Sequence, residues 1–425
     1  MDKSAIDWNI ACHIDYGNSE SVVVIVNHQG GKSSVTTLES TPAKGGDFNR
    51  RSVFLGVNER GEALIMNPET REVTPRKSIE ADCRFYYAYR DPGSVRFWYS
   101  NDGDENGNDT LNCGNNGATV AVASKTNGTS EVLETLKVGR GHHVSAFSRP
   151  TDNHYRIPHR AFVSNLEDGT ISVVGNDPSD AITFLKIITT INLFDPRCEK
   201  EGASHVPNNA FPHGMEFSPV TGKIYNLNNG YNSVVTIDPL TCEVERSVPM
   251  KVSSNLLLSR CGKFLIGKGA DRKANPDHVM GRLSVLDVTT NEISTTLDIQ
   301  DFYPSVYRFN LAGDRLYVTS AATGKGAQLE NLRTGIVQIY DSSKLPELKL
   351  IGEIELDPCS ASRRPIAFLQ QKDSTPLILV PNPTQGSLAV IDGDSHEVIE
   401  TIALGKGNIE EFSFAFWGKP EFYGA

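Results

Sequence analysis

Gly214-Met215-Glu216-Phe217-Ser218-Pro219, Gly222-Lys223-Ile224-Tyr225-Asn226, Ser233-Val234-Val235-Thr236-Ile237-Asp238 and Glu243-Val244-Glu245-Arg246-Ser247-Val248 follow one another with only short turn stretches between them. The third segment alternates small or polar with apolar side chains, the period of two that marks a strand, and the fourth repeats it with charges on the other face. Gly, Pro, Asn and Asp separate the segments, so the unit reads as four short antiparallel strands joined by turns.

The unit recurs. Residues 222–238, 262–287, 313–341 and 376–392 each run turn, β-branched strand, polar turn and a strand ending in aspartate, at Asp238, Asp287, Asp341 and Asp392. Self-similarity at about 50 residues is the signature of propellers and solenoids. Residues 160–164 with 170–174 supply one more unit, and 21–26, 52–57 and 119–123 read as strands of a less regular N-terminal third. The last apolar run, Phe412 to Trp417, reads as a lone first strand expected to pair with the N-terminal strands, because closure removes unpaired edges. The expectation is an all-β chain, a seven-bladed β-propeller of four-stranded antiparallel blades in a single domain over 1–425, with eight blades also admitted by the length.

Blades of the form Pro212-His213-Gly214-x-x-Phe217-Ser218-Pro219, Gly222-Lys223-x-Tyr225 and Ser233-Val234-x-x-Ile237-Asp238 resemble the YVTN-type propeller repeats of bacterial and archaeal surface proteins, lactonase-like enzymes and the nitrous oxide reductase propeller domain. The resemblance covers residues 139–402. It implies a fold more than a function, since one propeller architecture hosts hydrolases, redox enzymes and binding modules.

Composition agrees: 38% hydrophobic residues, 36 glycines and 22 prolines, with no long apolar run, describe a soluble, turn-rich β protein. The net charge of −11 and the absence of a Lys/Arg stripe disfavour nucleic acid or anionic membrane as partners. Seven cysteines without a CxxC pair give neither a disulfide framework nor a zinc-ribbon spacing. No Gly-x-Ser-x-Gly elbow occurs, and Gly324-Lys325-Gly326 lacks the strand-to-helix context of a phosphate loop. The segment starting at Met1 has no apolar stretch of signal-peptide length, so the expectation is a cytoplasmic protein if Met1 is native, and a periplasmic or extracellular one if a signal was removed.

Histidines carry the most specific chemical hint. His142 and His143, and His213 in Phe211-Pro212-His213-Gly214, stand immediately before first strands of blades, where side chains line a propeller channel. Imidazole is a common ligand of zinc, copper and iron, so these three are candidate metal ligands, with His159 as a further one. The same rim position offers Tyr303 and Tyr307, Arg363 and Arg364, and Glu410 and Glu411. Glu410 or Glu411 would be fourth ligand or general base for a metal-bound water, and Arg363 or Arg364 would hold an anionic substrate. The resemblance to nitrous oxide reductase implies a copper cluster on such histidines, but the blades starting near Ser253, Ser305 and Pro365 have none at their first strands, which leaves a single ion. The other reading makes the imidazoles structural.

A second candidate is Asp102, Asp104 and Asn106, which with Gly107 fit the start of a calcium loop. Its twelfth position is Cys113 instead of the bidentate glutamate, and the alternative is a solvated surface loop. Long insertions near 90–117, 195–211, 268–281 and 319–335 would form a lid or a partner surface if they gather on one face. Two functions of different class follow: a metal-binding propeller of redox or hydrolytic type acting on a small molecule, or a non-catalytic propeller binding a protein partner on its loops.

Overall fold

The computed structural model describes residues 7–416 and 421–423 apart from 17–20, 41–42, 45–46, 50–51, 59–62, 68–69, 77–86, 92–95, 102–117, 127–128, 142–143, 200–204, 371–375 and 410. Two compact units emerge, the first comprising 1–76, 270–281 and 298–425, the second 77–269 and 282–297.

Among the described residues the strands form eight antiparallel sheets, so the expected seven blades become eight. The difference lies in the N-terminal third, where Ala43–Lys44, Asp47–Asn49, Ser52–Asn58, Ala63–Met66 and Val73–Arg76 make a sheet (II) whose sequence does not show the regular repeat. Also in the first unit are sheet I (Trp8–Asp15, Ser21–Gln29, Lys32–Ser40 and Glu411–Phe416), sheet VII (Pro304–Phe309, Arg315–Ser320, Ile336–Asp341, Lys349–Glu355) and sheet VIII (Ala367–Gln370, Leu377–Asn382, Ser387–Asp392, Val398–Ala403 and Glu421–Tyr423). Glu411–Phe416 pairs with Trp8–Asp15 over six residues, as the apolar run at 412–417 led us to expect.

The second unit holds sheet III (Tyr87–Arg90, Arg96–Asn101, Ala118–Thr126, Thr129–Val138), sheet IV (Ser145–Ser148, Arg160–Asn165, Thr170–Gly175, Ile187–Asn192) and sheet V (Pro212–Ser218, Lys223–Asn228, Ser233–Ile237, Val244–Pro249). Most of sheet VI (Asn255–Leu258, Phe264–Asp271, Met280–Asp287, Glu292–Gln300) also belongs to it.

Local chemistry explains the repeated aspartates. Asp238 Oδ1 accepts from Leu240 N at 2.7 Å, Asp287 Oδ1 from Thr289 N at 2.8 Å, Asp341 Oδ1 from Ser343 N at 2.9 Å and Asp392 Oδ1 from Ser395 N at 2.8 Å. Each closes an Asx turn between third and fourth strands. Three of these turns then place a left-handed residue before the fourth strand, namely Cys242 (φ 62), Asn291 (φ 59) and His396 (φ 61). The aspartates are thus turn formers, and the hydrogen bonds hold Asp238 and Asp341 below the usual carboxylate range, for Asp238 against the opposing effect of burial.

The core lies between neighbouring sheets within each unit. Phe162, Ile171 and Val173 of sheet IV pack with Met215, Ile224 and Ile237 of sheet V, and Val306, Tyr317 and Ile339 of sheet VII with Ile378, Val380 and Ile391 of sheet VIII. Each such side chain contributes about 1.5–3 kcal/mol on burial, which offsets the ordering of strands too short to stand alone.

One connection is strained. Val252 has φ 58, a left-handed conformation that crowds its branched side chain, and Gly269 must lack a Cβ because one there would stand 2.2 Å from the Val252 carbonyl. Val252→Asn is expected to raise stability by about 1 kcal/mol, read from urea unfolding midpoints. An unchanged or lowered midpoint would mean that the valine side chain compensates by packing.

Candidate functional site

Strand Pro212–Ser218 enters sheet V irregularly. Its register runs Pro212 opposite Asn228, then Met215 opposite Asn226, so His213 and Gly214 together face one residue. Such a bulge bends a strand and re-aims its side chains. The turn is tight, with Phe211 at φ 46 and Gly214 at φ 86, and a Cβ on Gly214 would meet Asn255 Oδ1 and Leu256 N at 2.8 Å. Sheet VII has the same bulge between Pro304 and Tyr307, where Ser305 takes the histidine's place. The bulge therefore belongs to the repeat, and the imidazole is particular to sheet V.

His213 is half-buried, with Nδ1 2.7 Å from the carbonyl oxygen of Ser254. A carbonyl only accepts, so Nδ1 carries a proton and donates it. Metal-ligating histidines are oriented in this way, their second nitrogen donating to a carbonyl or carboxylate.

Around the same end of the second unit, five side-chain oxygens are buried without a protein partner: Ser145 Oγ, Asn165 Oδ1, Asn226 Oδ1, Asn229 Oδ1 and Ser253 Oγ. Ser145 opens the first strand of sheet IV, Asn165 closes its second, and Asn229 follows the second strand of sheet V, its main-chain N–H donating to Phe211 O at 3.1 Å. Ser253 precedes the residue that holds His213, and a Cβ on Gly267 would stand 2.8 Å from its hydroxyl. A buried oxygen left unpaired costs about 1–3 kcal/mol, so acceptors gathered in this way suit a ligand that brings hydrogens or positive charge.

Other sequence candidates fare differently. His142 and His143 lie outside the described residues, although the flanking backbone is anchored, Arg140 by Asp168 at 2.9 Å and Val144 N by Ser164 Oγ at 2.8 Å. His159 is brought away from His213. The turn between the first two strands of sheet IV touches its counterpart in sheet V through His154 and Val220 O at 2.8 Å, and His159 stands at that end, whereas His213 stands about 17 Å off at the strand's start. One ion cannot bind both.

Arg363 and Arg364 belong to the first unit; Arg363 is exposed and Arg364 buried. Arg364 Nε donates to Pro381 O and Nη1 to Thr334 O, each at 3.0 Å. Its guanidinium is thus committed to main-chain carbonyls, and Glu355 and Asp357 line the same groove. Glu410 lies outside the described residues, as do Asp102, Asp104 and Asn106 of the calcium candidate; Glu411 is described only by its backbone pairing with Asp15. Among the described residues no group of three or more His, Cys, Asp or Glu is placed to hold a metal ion.

His205 stacks on Phe194 with ring centres 4.2 Å apart, inside an insertion tied down by Asn208, whose amide reaches Gly169 O and Asn192 Oδ1. Two insertions of the first unit do gather: Gln328 Nε2 in the short helix Ala327–Asn331 donates to Arg272 O at 3.1 Å and Asn275 O at 2.7 Å, and Asn331 to Asp277 O at 3.0 Å. His278 on that loop donates from Nδ1 to Asp301 at 2.8 Å.

Two grooves, of 440 Å³ in the second unit and 400 Å³ in the first, are related by the repeat: Asn228, Ser233, Val235, Val244 and Ser247 line one where Asn382, Ser387, Ala389, Val398 and Thr401 line the other. They are crevices that the architecture generates, and neither includes His213.

What the sequence reading missed was the set of orphaned oxygens. Its only trace is a small polar residue at second-strand ends, as in Ser164-Asn165 and Asn228-Asn229.

No family model and no curated protein matches the chain. Solved structures do. The chain is similar to the dihydro-heme d1 dehydrogenase NirN (11% identity, TM-score 0.61, covering 95% of this chain and 74% of that one). Apo AztD from Citrobacter koseri gives 13% identity and TM-score 0.58 over 98% and 100% of the two chains, and the Pseudomonas aeruginosa periplasmic gluconolactonase PpgL 12% and 0.53 over 96% and 99%. The fold is of the β-propeller class. At these identities the likeness extends to the fold alone. Among the described residues no helix is long and apolar enough to cross a membrane.

Proposed function

We propose that this propeller binds a single metal ion at the first-strand entrance of sheet V, with His213 as a ligand, and that the bound ion serves redox or hydrolytic chemistry on a small molecule. The observation that carries the reading is the Nδ1 contact to the Ser254 carbonyl, which orients the imidazole as metal-ligating histidines are oriented. The unpartnered oxygens of Asn229, whose main-chain N–H bonds Phe211 O, and of Ser253, which precedes Ser254, would supply hard donors. Imidazole with oxygen donors suits zinc or iron better than a thiolate-loving copper(I) site. A metal ion there would polarise a bound carbonyl or activate water. The fold likeness to a dehydrogenase and to a gluconolactonase supports either chemistry on this scaffold.

Elemental analysis of protein purified without chelator, beside His213→Ala, tests it. Near-stoichiometric zinc or iron in the parent and at least a tenfold loss in the variant is the expected result. Metal absent from the parent, or retained by a folded variant, would sink the assignment. The clamped insertions of the first unit favour a second reading, a platform for a protein partner that presents the half-exposed Leu329 of the short helix.

A further inference from the structure

Sheet VIII carries a strand that the repeat does not call for. The first strands of sheets IV, V, VI and VII end their sheets, whereas Ala367–Gln370 is paired on both sides, with Leu377–Asn382 and, antiparallel, with Glu421–Tyr423. The register is Phe368 with Tyr423, Leu369 with Phe422 and Gln370 with Glu421. This added strand follows Glu411–Phe416, which is held over six residues in sheet I, so it leaves one sheet to cap the edge of another in the same unit.

The edge it covers is apolar: Ala367, Phe368 and Leu369 are at most 3% exposed. A bare edge of that kind invites pairing with another chain. Three residues supply few main-chain hydrogen bonds against the entropy of ordering their backbone, so the covering strand is the least secured in its sheet, and a strand-accepting edge takes any extended segment of suitable side chains.

We propose that the edge of Ala367–Gln370 is a peptide-accepting site, closed in cis by Glu421–Tyr423, which an extended segment of the same Glu-Phe-Tyr character enters when the resident strand leaves. The proposal does not depend on metal binding at His213.

The test uses a chain ending at Phe416, the full chain, and a fluorescein-labelled peptide of residues 418–425, with binding read by fluorescence anisotropy. The peptide is expected to bind the shortened chain with micromolar affinity and the full chain at least tenfold more weakly. A folded shortened chain that binds no peptide, or equal binding to both chains, overturns the proposal. Should shortening unfold the protein, Phe422→Pro in the full chain, which puts proline in the middle of the three-residue strand, is expected to open the site to the peptide; a folded Phe422→Pro protein that stays closed overturns it equally. A full-length dimer that shortening dissolves would place a second copy's strand on this edge and overturn closure in cis.

Discussion

Acidification from about pH 7 to about pH 4 is expected to remove roughly 3 kcal/mol of folding stability through His13 alone. His13 is 2% exposed in the first strand of sheet I, opposite Val23 and on the face that carries Ala11 to a cluster of Val23, Ile25, Leu64 and Met66. Burial there lowers its pKa from 6.5 to about 4. The unfolded chain takes up a proton as the pH falls below 6.5 while the native state does not until about 4, so the stabilisation is complete above the first value and drains away between the two. Asp238 and Asp341 act in a lower window: their depressed pKa contributes stability above the unfolded value of 3.8 that is lost as the pH falls below it. Urea unfolding at half-unit steps should show a steep limb between the two histidine values, flattened in His13→Leu. Identical limbs in parent and variant would refute the assignment.

Arg364→Met is expected to cost about 3 kcal/mol or more. The side chain is 1% exposed, and its removal strands the buried carbonyls of Pro381 and Thr334, while the Asp357 carbonyl, 3.3 Å from Nη1, can turn to water. Each buried unpaired acceptor costs about 1–3 kcal/mol, and the lost packing adds to that. The same residue's main chain is held by Ser305 Oγ at 3.3 Å and Thr319 Oγ1 at 2.7 Å, so the arginine ties sheet VII to sheet VIII. Burial pulls its guanidinium below the usual range, partly opposed by Cys359 and Asp357. Denaturant unfolding reads the loss directly; a change under 1 kcal/mol would show that the carbonyls find other donors. Arg364→Lys should also be costly, because a single ammonium cannot reproduce the guanidinium fork.

These two residues show where sequence reading stops. Arg364 sits in Ala361-Ser362-Arg363-Arg364-Pro365, a polar stretch that reads as surface, and its burial follows only from the meeting of sheets VII and VIII. His13 reads as an ordinary strand residue, and its depressed pKa follows only from the packing on the sheet face it shares with Ala11. His159 and His213 both read as candidate ligands in the sequence, but His159 immediately precedes a second strand and His213 lies at the start of a first, and antiparallel pairing sends them to opposite ends.

By itself the sequence determined the strand units, their four-stranded grouping in the regular part and the turns that join them. Each is encoded within a few neighbouring residues: a period-two pattern, an aspartate that bonds the amides just ahead of it, a glycine where φ is positive. It also singled out His213, because a histidine beside a turn glycine is visible locally. Tertiary structure alone decided the eight sheets, the orphaned oxygens of the second unit, the clamp of two insertions and the strand added to sheet VIII. All of these depend on which distant segments meet, and main-chain hydrogen bonds and burial set that without leaving a local mark in the residues concerned.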